Sequence, residues 1–185
     1  IEIGIHPNFL KTDYESIKKT TNKLLQIYPN SLGSRSHRNI FGHSIAKVLS
    51  EFGLAYDVSN LLWNQSILGI VNDPNELKRI SYFWEDGIHL EYQIPLDWSL
   101  INLNSPGIKI INVHPVLIYL NCISDQQRKN LVKNYSDLTK ASKTDFLNAK
   151  YNKYGISNLW EELLFKIKKE KVKSRFISEI LSIPE

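Results

Sequence analysis

The sequence predicts an α/β fold with parallel strands, on three observations. A strand-like start, a helix, a polar loop, a second helix and a second strand follow one another within residues 1–58, and a parallel pair needs a crossover of about a dozen residues or more. The run Ile108-Lys109-Ile110-Ile111-Asn112-Val113 is apolar enough for a central strand. His6 and His114 each directly follow a strand candidate and precede a proline, at the strand ends where α/β folds gather their sites.

Taken in order, Ile1-Glu2-Ile3-Gly4-Ile5 alternates with the period of a strand already in progress. The sequence holds no methionine, so this start reads as a cut edge. Asp13 is placed to cap a helix whose face is Tyr14, Ile17, Thr21, Leu24 and Tyr28, ended near Pro29. A second helix is expected from about Gly42 to Phe52, with Ile45, Val48, Leu49 and Phe52 on one side and Gly53 past its end, where a positive φ is needed. Leu54–Val58 reads as the next strand, followed by Ile80–Trp84 and Leu90–Ile94, and Pro106-Gly107 as the turn into Ile108–Val113. From Ser124 to about Lys153 the composition turns polar, which fits an irregular or partly helical excursion. A final helix from about Ser157 to Ser182 is expected to turn Trp160, Leu163, Leu164, Ile167, Phe176 and Ile180 to the core. No repeat or composition break divides the chain, so residues 1–185 read as one domain.

Composition narrows the function classes. With 42% hydrophobic and 11% aromatic residues, 185 residues can bury a core without staples. The single cysteine, Cys122, cannot form an internal disulfide, and no Cys/His spacing suits a structural zinc module. No apolar run approaches the ~20 residues that span a bilayer, and no signal-peptide pattern is visible. A bacterial cytoplasmic location is expected, although one cysteine also suits exported proteins. The net charge is +4. Lys166, Lys168, Lys169, Lys171, Lys173 and Arg175 face only Glu170, a local +5 that leaves the remainder at −1. Such a run is a solvated helix face, and nucleic acid is not the expected partner. If it were, binding through this helix would be strongly salt-dependent.

Trp84-Glu85-Asp86 closes a third strand candidate, and Arg35-Ser36-His37 occupies a loop that can reach the same rim. Strand-end histidines, a carboxylate pair, an arginine and a further histidine are what metal-assisted hydrolysis uses. Imidazoles serve as ligands, a carboxylate takes or orients a proton, and a cation stands near the developing oxyanion. Singly, each group also has a structural reading. Asp57 fits a buried acid bonded to backbone amides or capping a turn; His43 falls in the first turn of the second helix, and His89 in a loop. The joint placement at strand ends carries the inference.

In chain order, Ile3-Gly4-Ile5-His6-Pro7-Asn8-Phe9, Arg35-Ser36-His37, Tyr56-Asp57-Val58-Ser59, Tyr82-Phe83-Trp84-Glu85-Asp86 and Val113-His114-Pro115 through Tyr119-Leu120-Asn121 resemble the WbmS-like branch of the polysaccharide deacetylase (NodB-homology) family. The resemblance covers roughly residues 1–121. It implies a distorted (β/α) barrel, incomplete at the N-terminus, with a divalent metal, usually zinc. The metal would activate water against the acetamido carbonyl of an N-acetylated sugar in bacterial surface-polysaccharide (lipopolysaccharide) biosynthesis.

By the same resemblance His6 is a metal ligand. Leu10 stands where the family's next histidine would be, so His37 is assigned the second imidazole. Arg35 matches the arginine that orients the catalytic base, Asp86 or Glu85 the acid that tunes the last histidine, and His114 the general acid. Asn8, Trp84 and Asp57 are assigned to substrate. The family's metal and base aspartates end a first barrel strand that this sequence does not show, so these residues alone are expected to bind metal weakly and to be inactive. Glu85-Asp86-Gly87 and Leu117 also depart from the family pattern, which fits a slow or binding-only site. The alternative is a non-catalytic carbohydrate-binding or assembly protein, with Trp63, Trp84 and Trp98 stacking on sugar rings. Residues 122–185 lie outside the resemblance and keep three roles open: covering a barrel face, homo-oligomerisation or docking a partner.

Overall fold

The computed structural model describes residues 1–135 and 137–182. They form two compact units: Ile1–Phe83 with Ser105–Ile110 and the segment from Ser174, and Trp84–Asn104 with Ile111–Lys173.

In the first unit, α1 (Tyr14–Ile27) begins where Asp13 accepts the Ser16 amide at 2.9 Å, satisfying one of the amides a helix start leaves open. α2 spans His43–Glu51, and Gly53 past its end takes φ +76°. The two helices pack over a core of Ile5, Phe9, Ile17, Ile45, Ala46, Val48, Leu49, Leu54 and Leu77. Beside them lies a sheet of order β1-β2-β4-β3, from β1 (Gly33–Ser34), β2 (Tyr56–Asp57), β3 (Ile70–Asn72) and β4 (Lys78–Ile80). β1, β2 and β4 are parallel, with Ser34 beside Asp57 and Asp57 beside Arg79, and β3 returns antiparallel on β4.

In the second unit, β5 (Trp84–Glu85) pairs in parallel with β6 (Ile111–Asn112). Five helices accompany this pair: α3 (Asp86–Glu91), α4 (Pro115–Leu120), α5 (Asp125–Asn134), α6 (Lys143–Ala149) and α7 (Ile156–Lys169). Trp84, Leu90, Trp98, Leu117, Leu120, Leu131, Ile156, Leu159 and Leu163 are buried there. The last helix of the chain, α8 (Ile177–Leu181), belongs to the first unit.

The fold is thus mixed α/β with parallel pairing, but several expected elements differ. The strands are two or three residues long, and no closed barrel forms among the described residues. Of the opening strand only Ile5 bridges, to Ser34, while Ile1 and Ile3 are exposed. Leu90–Ile94 is not a strand: Asp86 to Glu91 winds into α3, which Gln93 terminates with φ 53°, and the apparent alternation leaves Tyr92 exposed. Ile108–Val113 contributes only Ile111 and Asn112 to a ladder and is half-buried, not central. The expected long last helix breaks after Lys169, where Lys171 turns left-handed at φ 54° and the Val172 amide closes onto the Ile167 carbonyl. Phe176, beyond the break, is exposed, and so is Leu164 on the outer face of α7.

Asn121 joins α4 to α7. It is buried in the left-handed region at φ 48°, its amide donating to Lys153 O at 2.8 Å and Tyr151 O at 3.2 Å and its oxygen accepting the Ser157 amide at 3.0 Å. A Cβ on Gly155 would lie 2.3 Å from the Asn121 carbonyl oxygen. Asn121→Ala should therefore lose about 3 kcal/mol from stranded buried groups and backbone strain, lowering the thermal midpoint by roughly 6–12 °C in calorimetry. Gly155→Ala should do so too; unchanged midpoints would refute the junction.

Candidate functional site

The groups singled out in the sequence collect into two clusters, one in each unit. In the second unit, β5 ends at Glu85 and β6 at Asn112, and the parallel pairing sets Glu85 beside Asn112. This carries Asp86, the residue after β5, and His114, two residues after β6, to neighbouring strand ends. Asp86 is fully buried. Its Oδ1 accepts the Gly87 amide at 2.7 Å and its Oδ2 the His114 amide at 2.7 Å. The His114 ring meets Asp86 Oδ1 through Nδ1 at 2.6 Å. A carboxylate engaged with two amide donors faces the ring as an acceptor, so Nδ1 carries the proton and Nε2 is the exchanging atom. Glu85 Oε1 lies 4.0 Å from that Nε2, and the His114 side chain is 39% exposed, open enough to meet a ligand. Of the two acids considered for tuning His114, Asp86 makes the bond and Glu85 flanks the opposite nitrogen.

In the first unit, the segments after Ile5 and Ser34 run side by side. The Arg35 amide donates to Ile5 O at 3.0 Å, the His37 amide to Pro7 O at 2.8 Å, and His6 Nδ1 to Arg35 O at 2.5 Å. Because a carbonyl only accepts, the neutral His6 ring holds its lone pair on Nε2. The His6 and His37 rings stand edge to face, their centres 5.7 Å apart, and both residues are exposed. The Arg35 guanidinium lies 5.2 Å from the centre of the Tyr82 ring. Asn8 is exposed beyond Pro7.

Asp57 is 1% exposed and turns inward. Its carboxylate accepts the Ser59 amide and hydroxyl, both at 2.8 Å, in the local turn that Asp-x-Ser favours. Burial pushes its pKa up to about 6, against the opposing pull of the Ser59 hydrogen bonds and the Arg79 charge. His89 corrects the loop expectation: it lies in α3, fully buried. Its Nδ1 accepts the Trp84 indole N–H at 3.2 Å, its Nε2 donates to Pro95 O at 3.1 Å, and burial holds its pKa below the ordinary value. Trp84 and Trp98 are buried against each other, ring centres 5.1 Å apart, so neither presents a face for stacking; Trp63 is half-buried. His43 opens α2.

His6 and His37 supply two imidazoles, and orientation of His6 through Nδ1 is what a metal-ligating histidine uses. A hydrolytic zinc takes three protein ligands, and no group of three or more His, Cys, Asp or Glu is arranged to hold a metal among the described residues. The described residues therefore do not complete such a centre. The sequence passed over Ser59 and Ser36, whose signal was the Asp57-Val58-Ser59 spacing, and the bonding capacity of Asn121.

The family model for WbmS-like polysaccharide deacetylases matches residues 1–132. Among solved structures, WbmS from Bordetella bronchiseptica, a proposed polysaccharide deacetylase involved in O-antigen biosynthesis, is similar with a TM-score of 0.76 and 22% identity over 89% of this chain and 69% of that one. At that identity the likeness speaks for the fold. Comparison with curated proteins gives no match.

Two measurements follow from this geometry. Zinc titration by calorimetry should show weak binding that His6→Ala and His37→Ala abolish; tight binding would reveal a third ligand. The second concerns pH. Folded Asp57 keeps its proton up to about 6, whereas the unfolded residue releases it near 3.8. The folded state thus binds more protons in between, and stability falls as pH rises through that window, by roughly 3 kcal/mol in all. Asp57→Asn should abolish this part of the slope in denaturant titrations and be the more stable form at pH 7.5. An unchanged slope would show that Asp57 ionises without penalty.

Proposed function

The chain belongs to the WbmS-like polysaccharide deacetylase family, and from that premise we propose that it hydrolyses the acetamido group of an N-acetylated sugar in bacterial surface-polysaccharide synthesis. The observation that carries the reading is the His114–Asp86 pair: a half-exposed imidazole whose inner nitrogen is bonded at 2.6 Å to a buried acid. A carbohydrate-acting family and the absence of any helix long and apolar enough to cross a membrane among the described residues agree with it.

Amide hydrolysis adds water to the acetyl carbonyl and then breaks the C–N bond. The amine leaves poorly unless its nitrogen is protonated as that bond breaks. His114, protonated on Nε2, delivers this proton, the proton released from the added water restores the ring, and acetate and the free amine are the products. Asp86 holds the Nδ1 proton throughout, so that only Nε2 exchanges, and its negative charge stabilises the imidazolium before transfer. Glu85, 4.0 Å from Nε2, favours the charged ring by the same Coulombic attraction.

Acetate release from N-acetyl sugars by the purified protein tests the reading. His114→Ala should lower kcat by about 10²–10⁴-fold, the usual share of a general acid. Asp86→Asn should act in the same direction, because it removes the negative charge that favours the imidazolium, and His6→Ala should also reduce the rate. A parent protein that releases no acetate, or a His114→Ala variant with parental kcat, would overturn it.

A further inference from the structure

We propose that Ser59, anchored by Asp57, is the positioning residue that fixes the Arg35–His37 loop against the His6 loop; the functional part of this inference rests on the deacetylase reading above. Asp57 and Ser59 are 1% and 3% exposed, and Ser36 is 1% exposed. The Ser59 amide donates to Asp57 Oδ1 and its hydroxyl to Asp57 Oδ2, each at 2.8 Å. With its proton committed, the hydroxyl oxygen presents a lone pair, which accepts the Ser36 amide at 2.7 Å. A serine hydroxyl has one proton to give, so the carboxylate decides which way the hydroxyl points and the hydroxyl decides where Ser36 sits.

Ser36 lies between Arg35 and His37, and the three consecutive amides of this loop are each tied down. Arg35 N–H reaches Ile5 O and His37 N–H reaches Pro7 O, both backbone carbonyls of the His6 loop. The middle amide is held by a side chain, that of Ser59. The loop then passes at once through two non-glycine residues in the left-handed region, Arg38 at φ 57° and Asn39 at φ 56°. Such backbone persists where its surroundings hold it, and the ladder here cannot: β1 ends at Ser34 after two residues. A buried acid thereby sets the position of the two loop residues on either side of Ser36, Arg35 and His37. Asp57, assigned to substrate by resemblance, is reassigned here to this anchor.

The test uses Ser59→Ala, which removes one oxygen, with Ser59→Thr as the conservative restoration and Asp57→Ala as a second route to the same loss. Amide hydrogen exchange reads the bond directly. In Ser59→Ala the Ser36 amide should exchange at least about tenfold faster, while Val58, whose amide is bonded to Ser34 O at 2.8 Å, keeps its protection. Acetate release should fall about tenfold in kcat with little change in KM, and Ser59→Thr should recover both readouts. An unchanged Ser36 rate would overturn the proposal, and so would Ser36 and Val58 loosening together, which would make Ser59 a support of the fold alone. Faster Ser36 exchange with parental kcat would refute the link to function. Should the parent release no acetate, the deacetylase reading fails separately. The nuclear Overhauser contact between the His6 and His37 rings then decides the positioning, weakening in both Ser59→Ala and Asp57→Ala if the proposal is right and persisting if it is wrong.

Discussion

A fully buried carboxylate, Asp86, joins the ends of two strands. Taking an acid out of water is costly unless each oxygen is met by donors. Here the Gly87 amide, the His114 amide and the His114 ring meet it at 2.6–2.7 Å. Two of those donors come from one residue 28 positions away, so the carboxylate clips the start of α4 to the start of α3. With β5 and β6 sharing a ladder of two residue pairs, this clip fixes where His114 stands. The solvation of Asp86 and the placement of His114 are therefore one and the same set of bonds.

The chain's histidines show how partners decide chemistry. His6 gives its Nδ1 proton to a carbonyl, which orients the ring and leaves Nε2 as a neutral donor of a lone pair. His114 gives the same proton to a carboxylate, which also favours the charged ring and suits it to carry a proton. His89 spends both nitrogens inside the second unit, on an indole N–H and a carbonyl, and has none to offer a ligand. Similar rings thus sit in three different hydrogen-bond settings: against a carbonyl, against a carboxylate, and between an indole and a carbonyl. Sequence position alone separates the first two from the third only through the strand-end rule.

That rule marks what was legible. The helices α1 and α2 of the first unit stood in the sequence, because Asp13 and Gly53 punctuate them and the apolar spacing between is 3.6-fold. The strand-end positions of His6, Asp86 and His114 were legible too, since a histidine between an apolar run and a proline has few places to be. The barrel was not. Apolar runs such as Ile108–Val113 display strand propensity, but ladder length is set by what pairs with them, and only two residues of that run enter a strand ladder among the described residues. Leu90–Ile94 misled because a short helix packing Leu90 inward mimics alternation over five residues. The inward turn of Asp57 was written in its spacing to Ser59, but spacing cannot say whether such a turn faces water or a core.

Short strands explain why buried acids recur at these ends. A ladder of two residues gives too few hydrogen bonds to hold the loop beyond it, and at β2 and β5 a carboxylate takes over that task. Asp57 closes β2 and organises Ser59 and, through it, Ser36; Asp86 follows β5 and organises Gly87 and His114. The two anchors differ in how their charge is answered. Asp86 is met by three N–H groups, one of them on a ring that can itself become positive. Asp57 is met by the amide and hydroxyl of one residue, Ser59, with the Arg79 charge beside it, and burial still pushes its pKa up to about 6. The first arrangement ties both the backbone and the ring of one distant residue to a single carboxylate. The second has only to point a hydroxyl, since the bonds from Ser59 to Asp57 are local and the loop beyond is reached through the Ser59 oxygen.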